Sequence, residues 1–172
     1  MPQTKNRFLR ILRHRWMDDS DVKRALDDAA LARVEARVAA SERRHGGEIR
    51  VCVEAALPWS YLWQRLAARD RAVTMFGKLR VWDTEANNGV LIYLLLAEHR
   101  IEIVADRGLD RRVGRTQWQA IVGGMGDAFR SGRFEDGLNA AVDAVDALLV
   151  QYFALPSGQA NPNELPDAPL VG

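Results

Sequence analysis

One cysteine, three histidines and no long apolar run set the first limits on this 172-residue chain. Cys52 alone cannot close an internal disulfide, which fits a reducing compartment. His14, His45 and His99 are scattered, without the short spacings of a zinc site. No stretch approaches the apolar length that spans a bilayer; the run from Val90 to Leu96 is soon interrupted by Glu98 and Arg100. The N-terminus "MPQTKNRFLRILRHRW" has neither the apolar core nor the small-residue cleavage site of a signal peptide. These absences predict a cytoplasmic protein. A net charge of +1 leaves no overall field that would gather nucleic acid. No internal repeat is visible.

What remains is an ordinary globular composition, 48% apolar and 27% charged, in a chain long enough for one domain with a real core. Three segments follow from composition. Residues 1–26 are a basic amphipathic start. Lys5, Arg7, Arg10, Arg13 and Arg15 occur there before any acid, and Phe8, Leu9, Leu12 and Trp16 recur at helical spacing. Two readings stand. Phe8, Arg10, Leu12, Arg13 and Trp16 lie on an anionic membrane surface, or the helix docks on its own domain with its arginines in water. Residues 27–153 are the domain proper. Residues 154–172, rich in Pro, Asn and Gly, are expected to be a flexible tail.

Within the domain, a helix is predicted from about Asp27 to about Arg44, stopped by Gly46-Gly47. "EIRVCVEA" alternates, with Ile49, Val51 and Val53 on one face and Glu48, Arg50, Cys52 and Glu54 on the other, so a strand with one covered face is expected. "WSYLWQRLAARDRAVTMFGKL" reads as a helix with Leu62, Leu66, Val73 and Phe76 inward. Trp59, Tyr61 and Trp63 either pack its start or form an exposed aromatic ledge. "VLIYLLL" is apolar throughout, as for a strand covered on both faces. A short polar loop, "AEHR", returns the chain antiparallel into "IEIVA". Two helices follow, the first containing "GGMG", read as small residues for close helix packing and not as a phosphate loop. The order predicts an α/β (α+β) fold: a small mixed β-sheet sandwiched between helices in a single domain. The helical crossover predicts parallel pairing of the first two strands, which sends Glu54 to the far edge from the site considered next.

In an antiparallel hairpin the start of one strand lies beside the end of the next. Asp83, Glu85, Asn88 and Asp106 are therefore expected at one edge. Hard oxygens there suit Ca²⁺ or Mg²⁺, and Arg107 and Arg111, next to Arg112 and Arg115, could steer an anion inward. Each residue also has an ordinary structural role open to it, with Asp83 and Thr84 in a turn, Asn88-Gly89 in another, and Asp106 capping a short helix. No nucleophile elbow or triad is visible, and Cys52 reads as a small core residue.

"HGGEIRV", "MFGKLRVWDTEANNGVLIYLLL", "HRIEIVADRGLD", the "QW" opening the next helix and "FRSGRFEDGL" together resemble the TPM-domain family over roughly residues 27–153. That family is named for a thylakoid lumen protein, a photosystem II repair protein and a nematode receptor auxiliary subunit. The resemblance implies a small sheet flanked by helices and a pocket near the strand ends whose acids bind a divalent cation in some members. Some members are acid phosphatases; others are assembly, repair or accessory factors. Many carry a signal peptide and a trailing transmembrane segment, which are not evident here. Two functions are therefore expected. One is a cytoplasmic binding or accessory module, cation-regulated and recruited to a protein partner in a membrane complex. The other is a metal-assisted hydrolase of phosphate monoesters.

Overall fold

The computed structural model describes residues 3–172, with side chains from Phe8 onward. The side chains of Lys5 and Arg7 lie outside that description. Helices α1 (Gln3–Trp16), α2 (Asp19–Ala25) and α3 (Asp28–Glu42) lead into β1 (Glu48–Glu54). Helices α4 (Trp59–Trp63) and α5 (Ala68–Lys78) precede β2 (Gly89–Leu95), which returns through a short 3-10 turn into β3 (Arg100–Ala105). Then come α6 (Arg107–Asp110), α7 (Arg115–Arg130), α8 (Phe134–Phe153) and a short β4 (Leu170–Val171). Among the described residues no helix is long and apolar enough to cross a membrane.

The strands form one mixed sheet in the order β3-β2-β1-β4. β1 runs parallel to β2, with Glu48 opposite Gly89 and Glu54 opposite Leu95, and β2 runs antiparallel to β3. The crossover and the far-edge position of Glu54 therefore stand as the sequence predicts. Apolar side chains leave the sheet on both faces. Ile49, Val51, Val53, Val90, Ile92, Leu94, Ile101 and Ile103 meet α3, α7 and α8 through Val34, Val38, Met125, Phe129, Val142 and Leu149. Leu91, Tyr93, Leu95 and Val104 meet α5 through Ala68, Ala72 and Met75. A fully buried Leu or Phe of this kind contributes about 1.5–3 kcal/mol.

Four expectations change. β1 is buried along its whole length, not on one face. Its polar side is covered by an ion pair and by the tail: Arg71 binds Glu54, the Leu165 N–H donates to Glu48 (3.0 Å), and Arg50 donates to the Pro166 and Ala168 carbonyls. The tail is accordingly a strap, not a loose end. Asn161 donates to the His45 and Gly47 carbonyls (both 3.0 Å), and β4 pairs parallel with β1. The expected single helix over 59–79 is broken, because Arg65 takes a left-handed conformation (φ 59°). The break shifts the phase of the inward stripe, so Ala68, Ala72 and Met75 are buried and Val73 is exposed. Finally, Gly123 and Gly124 of "GGMG" have nothing within 4 Å of a Cβ position, so they do not serve helix packing.

Helix α1 turns the opposite way from the expectation that it docks with its arginines in water. It docks by its polar side: Arg10 bonds Glu98 (2.7 Å) and the Leu66 carbonyl (2.8 Å), while buried His14 faces Glu98 (3.1 Å) and accepts from the Leu57 N–H (3.0 Å). Burial of the Glu98 carboxyl opposes ionisation, but the hydrogen bonds from His14 and Arg10 more than offset it and hold its pKa at about 2. Phe8, Leu9, Leu12 and Trp16 face outward, Trp16 with 79% of its surface exposed.

Candidate functional site at the acidic edge of the hairpin

The start of β2 and the end of β3 meet, as the antiparallel pairing requires: the Asp106 N–H donates to the Gly89 carbonyl (2.8 Å). The loop before β2 folds tightly over this point. A Cβ on Gly89 would lie 1.9 Å from the Val81 carbonyl oxygen, and one on Gly108 would lie 2.3 Å from that of Asn87. Only glycine permits either approach. The two "G" positions of "NNGV" and "DRGL" thus press the loop and α6 against the strand ends.

Buried Thr84 accepts the Asn88 N–H at its hydroxyl (3.1 Å). Asn88, 1% exposed, donates from Nδ2 to the Gly46 carbonyl (2.7 Å), but its Oδ1 has no partner among the described residues. Asp106, 7% exposed, accepts the Arg107 N–H at Oδ1 (2.7 Å), while its Oδ2 is buried and likewise has no partner among them. Each orphaned oxygen costs about 1–3 kcal/mol unless something binds it. Asp83 and Glu85 lie in the exposed turn just before. The Asp83 N–H closes that turn on Arg80, and the Glu85 N–H points to the Glu164 carboxylate. Asn88 and Asp106 are thus brought to one end of the hairpin, and the preceding turn presents the other two acids to solvent. Among the described residues no group of three or more His, Cys, Asp or Glu side chains is arranged to hold a metal. Of the four expected cation ligands, Asn88 and Asp106 are the two that keep a buried oxygen without a partner among the described residues.

Beside this edge lies a shallow cavity of about 470 Å³ lined by Asn87, Arg107, Gly108, Arg111 and Arg112. Arg107 donates to Asn87 Oδ1 (3.1 Å). Arg112 is fixed by the Tyr152 carbonyl (2.8 Å) and stacks over Phe153. Arg111 is exposed. Together they provide a positive wall for an anion. Among the described residues no unpaired hydroxyl or thiol lines this cavity: the Thr84 hydroxyl is buried and bonded, and Cys52 sits mid-strand opposite Tyr93. Burial and the Glu54 charge push the Cys52 thiol up to about 12, so the thiolate is not available.

Sequence reasoning missed a second polar group at the start of β1. His45 is fully buried, with Nε2 at 3.6 Å from Asp146 of α8, and burial lowers its pKa against the opposing effect of Asp146. Glu42 accepts the Ile49 N–H (2.8 Å) and is 4% exposed. Burial, with Glu48 and Asp167 adding negative charge, pushes its carboxyl up to about 9. Asp146 and Asp167 reach these residues only through tertiary structure, so no local pattern marks them.

Comparison with known proteins places the chain. No curated protein matches it. The solution structure of the BA42 protein from the psychrophilic bacterium Bizionia argentinensis is similar at 25% identity and a TM-score of 0.74, covering 86% of this chain and 95% of that one. The N-terminal domain of a protein from P. gingivalis shares the fold at 21% identity and a TM-score of 0.61, over 76% of this chain and 82% of that one. The family model described as the TPM domain matches residues 20–148, so this protein belongs to the TPM-domain family.

Proposed function

We propose that this TPM-domain protein is a binding or accessory module that sits on an anionic membrane surface through α1, at the cytoplasmic face, beside a protein partner in a membrane complex. The observation that carries the reading is the inverted docking of α1. Its polar groups Arg10 and His14 are used to hold the helix, and Phe8, Leu9, Leu12 and Trp16 remain outside. Apolar side chains held outward on a fixed helix suit the boundary between headgroups and acyl chains. Arg13, which also donates to the Ala97 carbonyl (3.4 Å), and Arg15 are exposed on the same helix and would add up to roughly 1 kcal/mol each near anionic lipid. Arg10, paired with Glu98, holds the helix and does not take part in that contact. Exposed Trp59 and Trp63, with ring centroids 6.3 Å apart, lie on α4 between the two backbone sites that grip α1. Co-sedimentation with phosphatidylserine-containing vesicles, compared with phosphatidylcholine alone, tests the reading. Binding to the anionic vesicles, weakened by Leu12→Glu or Trp16→Glu, is expected; equal binding to both, or none, rejects it.

One observation favours a second reading, metal-assisted hydrolysis of a phosphate monoester. The unpartnered Asn88 and Asp106 oxygens belong to the residues next in sequence to Asn87 and Arg107, which line the arginine-rich cavity. A cation held there would polarise a phosphoryl oxygen. Arg107 and Arg111 would hold the anion in place. Turnover of p-nitrophenyl phosphate that depends on Mg²⁺ or Ca²⁺ and is lost in Asp106→Asn would support this reading; turnover that survives in Asp106→Asn would reject it.

A further inference from the structure

β3 ends the sheet on one side, and its outer edge lies in a groove. The Asp106 N–H bond to Gly89 fixes the hydrogen-bonding phase of the antiparallel pair, so Arg100, Glu102 and Val104 bond inward to β2. The backbone groups of Ile101, Ile103 and Ala105 therefore point away from the sheet. Among the described residues one group answers them: the Arg69 guanidinium, which donates to the Ile103 carbonyl. The groove along this edge holds about 760 Å³, between Arg69 of α5 on one side and Trp118, Val122 and Gly123 of α7 on the other.

Three further features describe the occupant. First, β3 carries no proline and no bulge, two of the devices that keep other strands away. Second, the Trp118 indole N–H is buried in the groove wall with no acceptor among the described residues. Third, Gly123 leaves its part of the wall open, with nothing within 4 Å of a Cβ position. A glycine inside a helix costs about 1 kcal/mol relative to alanine, and no packing among the described residues accounts for it. Alternating N–H and C=O groups repeated every second residue match the backbone of another strand and no small ligand. Charge narrows the choice. Arg69 reaches Glu102 only at 3.9 Å, and that carboxylate is nearer to Arg100 at 3.4 Å. Once an incoming backbone takes the Ile103 carbonyl, Arg69 is free for a carboxylate on the newcomer.

We propose that the outer edge of β3 is a docking site for an extended peptide that adds as a fifth strand, with an acidic side chain directed to Arg69 and a carbonyl to the Trp118 indole. This is separate from the membrane reading, which concerns α1 and would survive its failure. The probe is a random heptapeptide phage library panned against the full chain, with the enriched sequences then synthesised. Enrichment of extended, acid-containing peptides is expected. On binding, the amides of Ile101, Ile103 and Ala105 should become protected from hydrogen exchange, while those of Glu102 and Val104, already bonded to β2, should change little. Gly123→Trp should weaken binding by about tenfold or more, as filling a central pocket does. Gly124→Trp, outside the groove, should leave it unchanged, and Arg69→Ala should remove the preference for an acid. No enrichment, binding that leaves the three outward amides unprotected, or binding that survives Gly123→Trp would overturn the proposal. Protection that rises with protein concentration and without peptide would assign the edge to a second copy of this chain and would also overturn it.

Discussion

Replacing Arg71 with methionine tests whether a charged group holds the buried side of β1 together. The Glu54 side chain is 9% exposed and that of Arg71 12%. Arg71 makes a two-pronged bond to Glu54, through Nε to Oε2 at 2.8 Å and through Nη2 to Oε1, and the Tyr93 hydroxyl donates to Oε2 at 2.7 Å. Arg71 also lies over the Tyr61 ring. Methionine preserves much of the stem and its packing but removes the charge, leaving a buried carboxylate with only a phenol for support. Removing one partner of such a pair costs about 3–5 kcal/mol. In a domain of this size that lowers the melting temperature by roughly 6–20 °C, at about 2–4 °C per kcal/mol. Urea unfolding should show a lower midpoint with an unchanged slope, since the surface exposed on unfolding is the same. Tyr93→Phe should lose about 1.5–3 kcal/mol, the value of a hydrogen bond to a charge, and Glu54→Gln combined with Arg71→Met should recover part of the loss. A loss under about 1 kcal/mol in Arg71→Met, the range of an exposed ion pair, would refute the reasoning, because it would mean that water replaces the arginine freely.

Three further outcomes are expected. Folded Glu42 keeps its proton up to about pH 9, whereas the unfolded chain loses it near about pH 4.3. The folded state therefore binds more protons between those values, and stability is highest below the lower one and falls as pH rises toward the upper one. Glu42→Gln, which retains an acceptor for the Ile49 N–H, should flatten that slope and be more stable than the parent at alkaline pH in urea titrations. Gly89→Ala sets a methyl group against the Val81 carbonyl and should cost about 3 kcal/mol or more by steric overlap. Gly124→Ala, with open space around it, should gain up to about 1 kcal/mol.

The sequence was informative where one local rule decides the outcome. The continuous apolar run of β2 needs cover on both faces, and it has it; the crossover into a parallel neighbour follows from handedness. The placing of Asn88 and Asp106 at one end of the hairpin follows from its topology. Several of the failures have a common cause in partners that come from far along the chain. Arg50 alternates like a surface residue, yet it is covered by carbonyls at 166 and 168. Phe8, Leu12 and Trp16 look like a stripe seeking a core, but Glu98 offers their polar neighbours a stronger attachment. The break at Arg65 rests on a backbone conformation that arginine seldom adopts, so propensity favoured an unbroken helix. The groove beside β3 needs two helices whose relative position is not written in either one.

The strap across β1 has a consequence for how the protein acquires its shape. Arg50 and Ala168, which it joins, are 118 residues apart, whereas β2 and β3 are linked by a turn of a few residues. Non-local pairings of this kind are reached late. During synthesis, the outer side of β1, including the Ala55 N–H and the Val53 carbonyl that later bond Gly172, waits unpaired while α7 and α8 are made. An open strand at that stage can pair with another nascent chain. Glu48, Arg50 and Glu54, whose charges are costly to bury in the finished protein, are well placed to discourage such pairing in the unfinished one, as charges flanking aggregation-prone strands do. If so, Arg50→Leu should reduce refolding yield at high protein concentration but not at high dilution. An equal yield at both would mean that the charge matters only after the strap has closed.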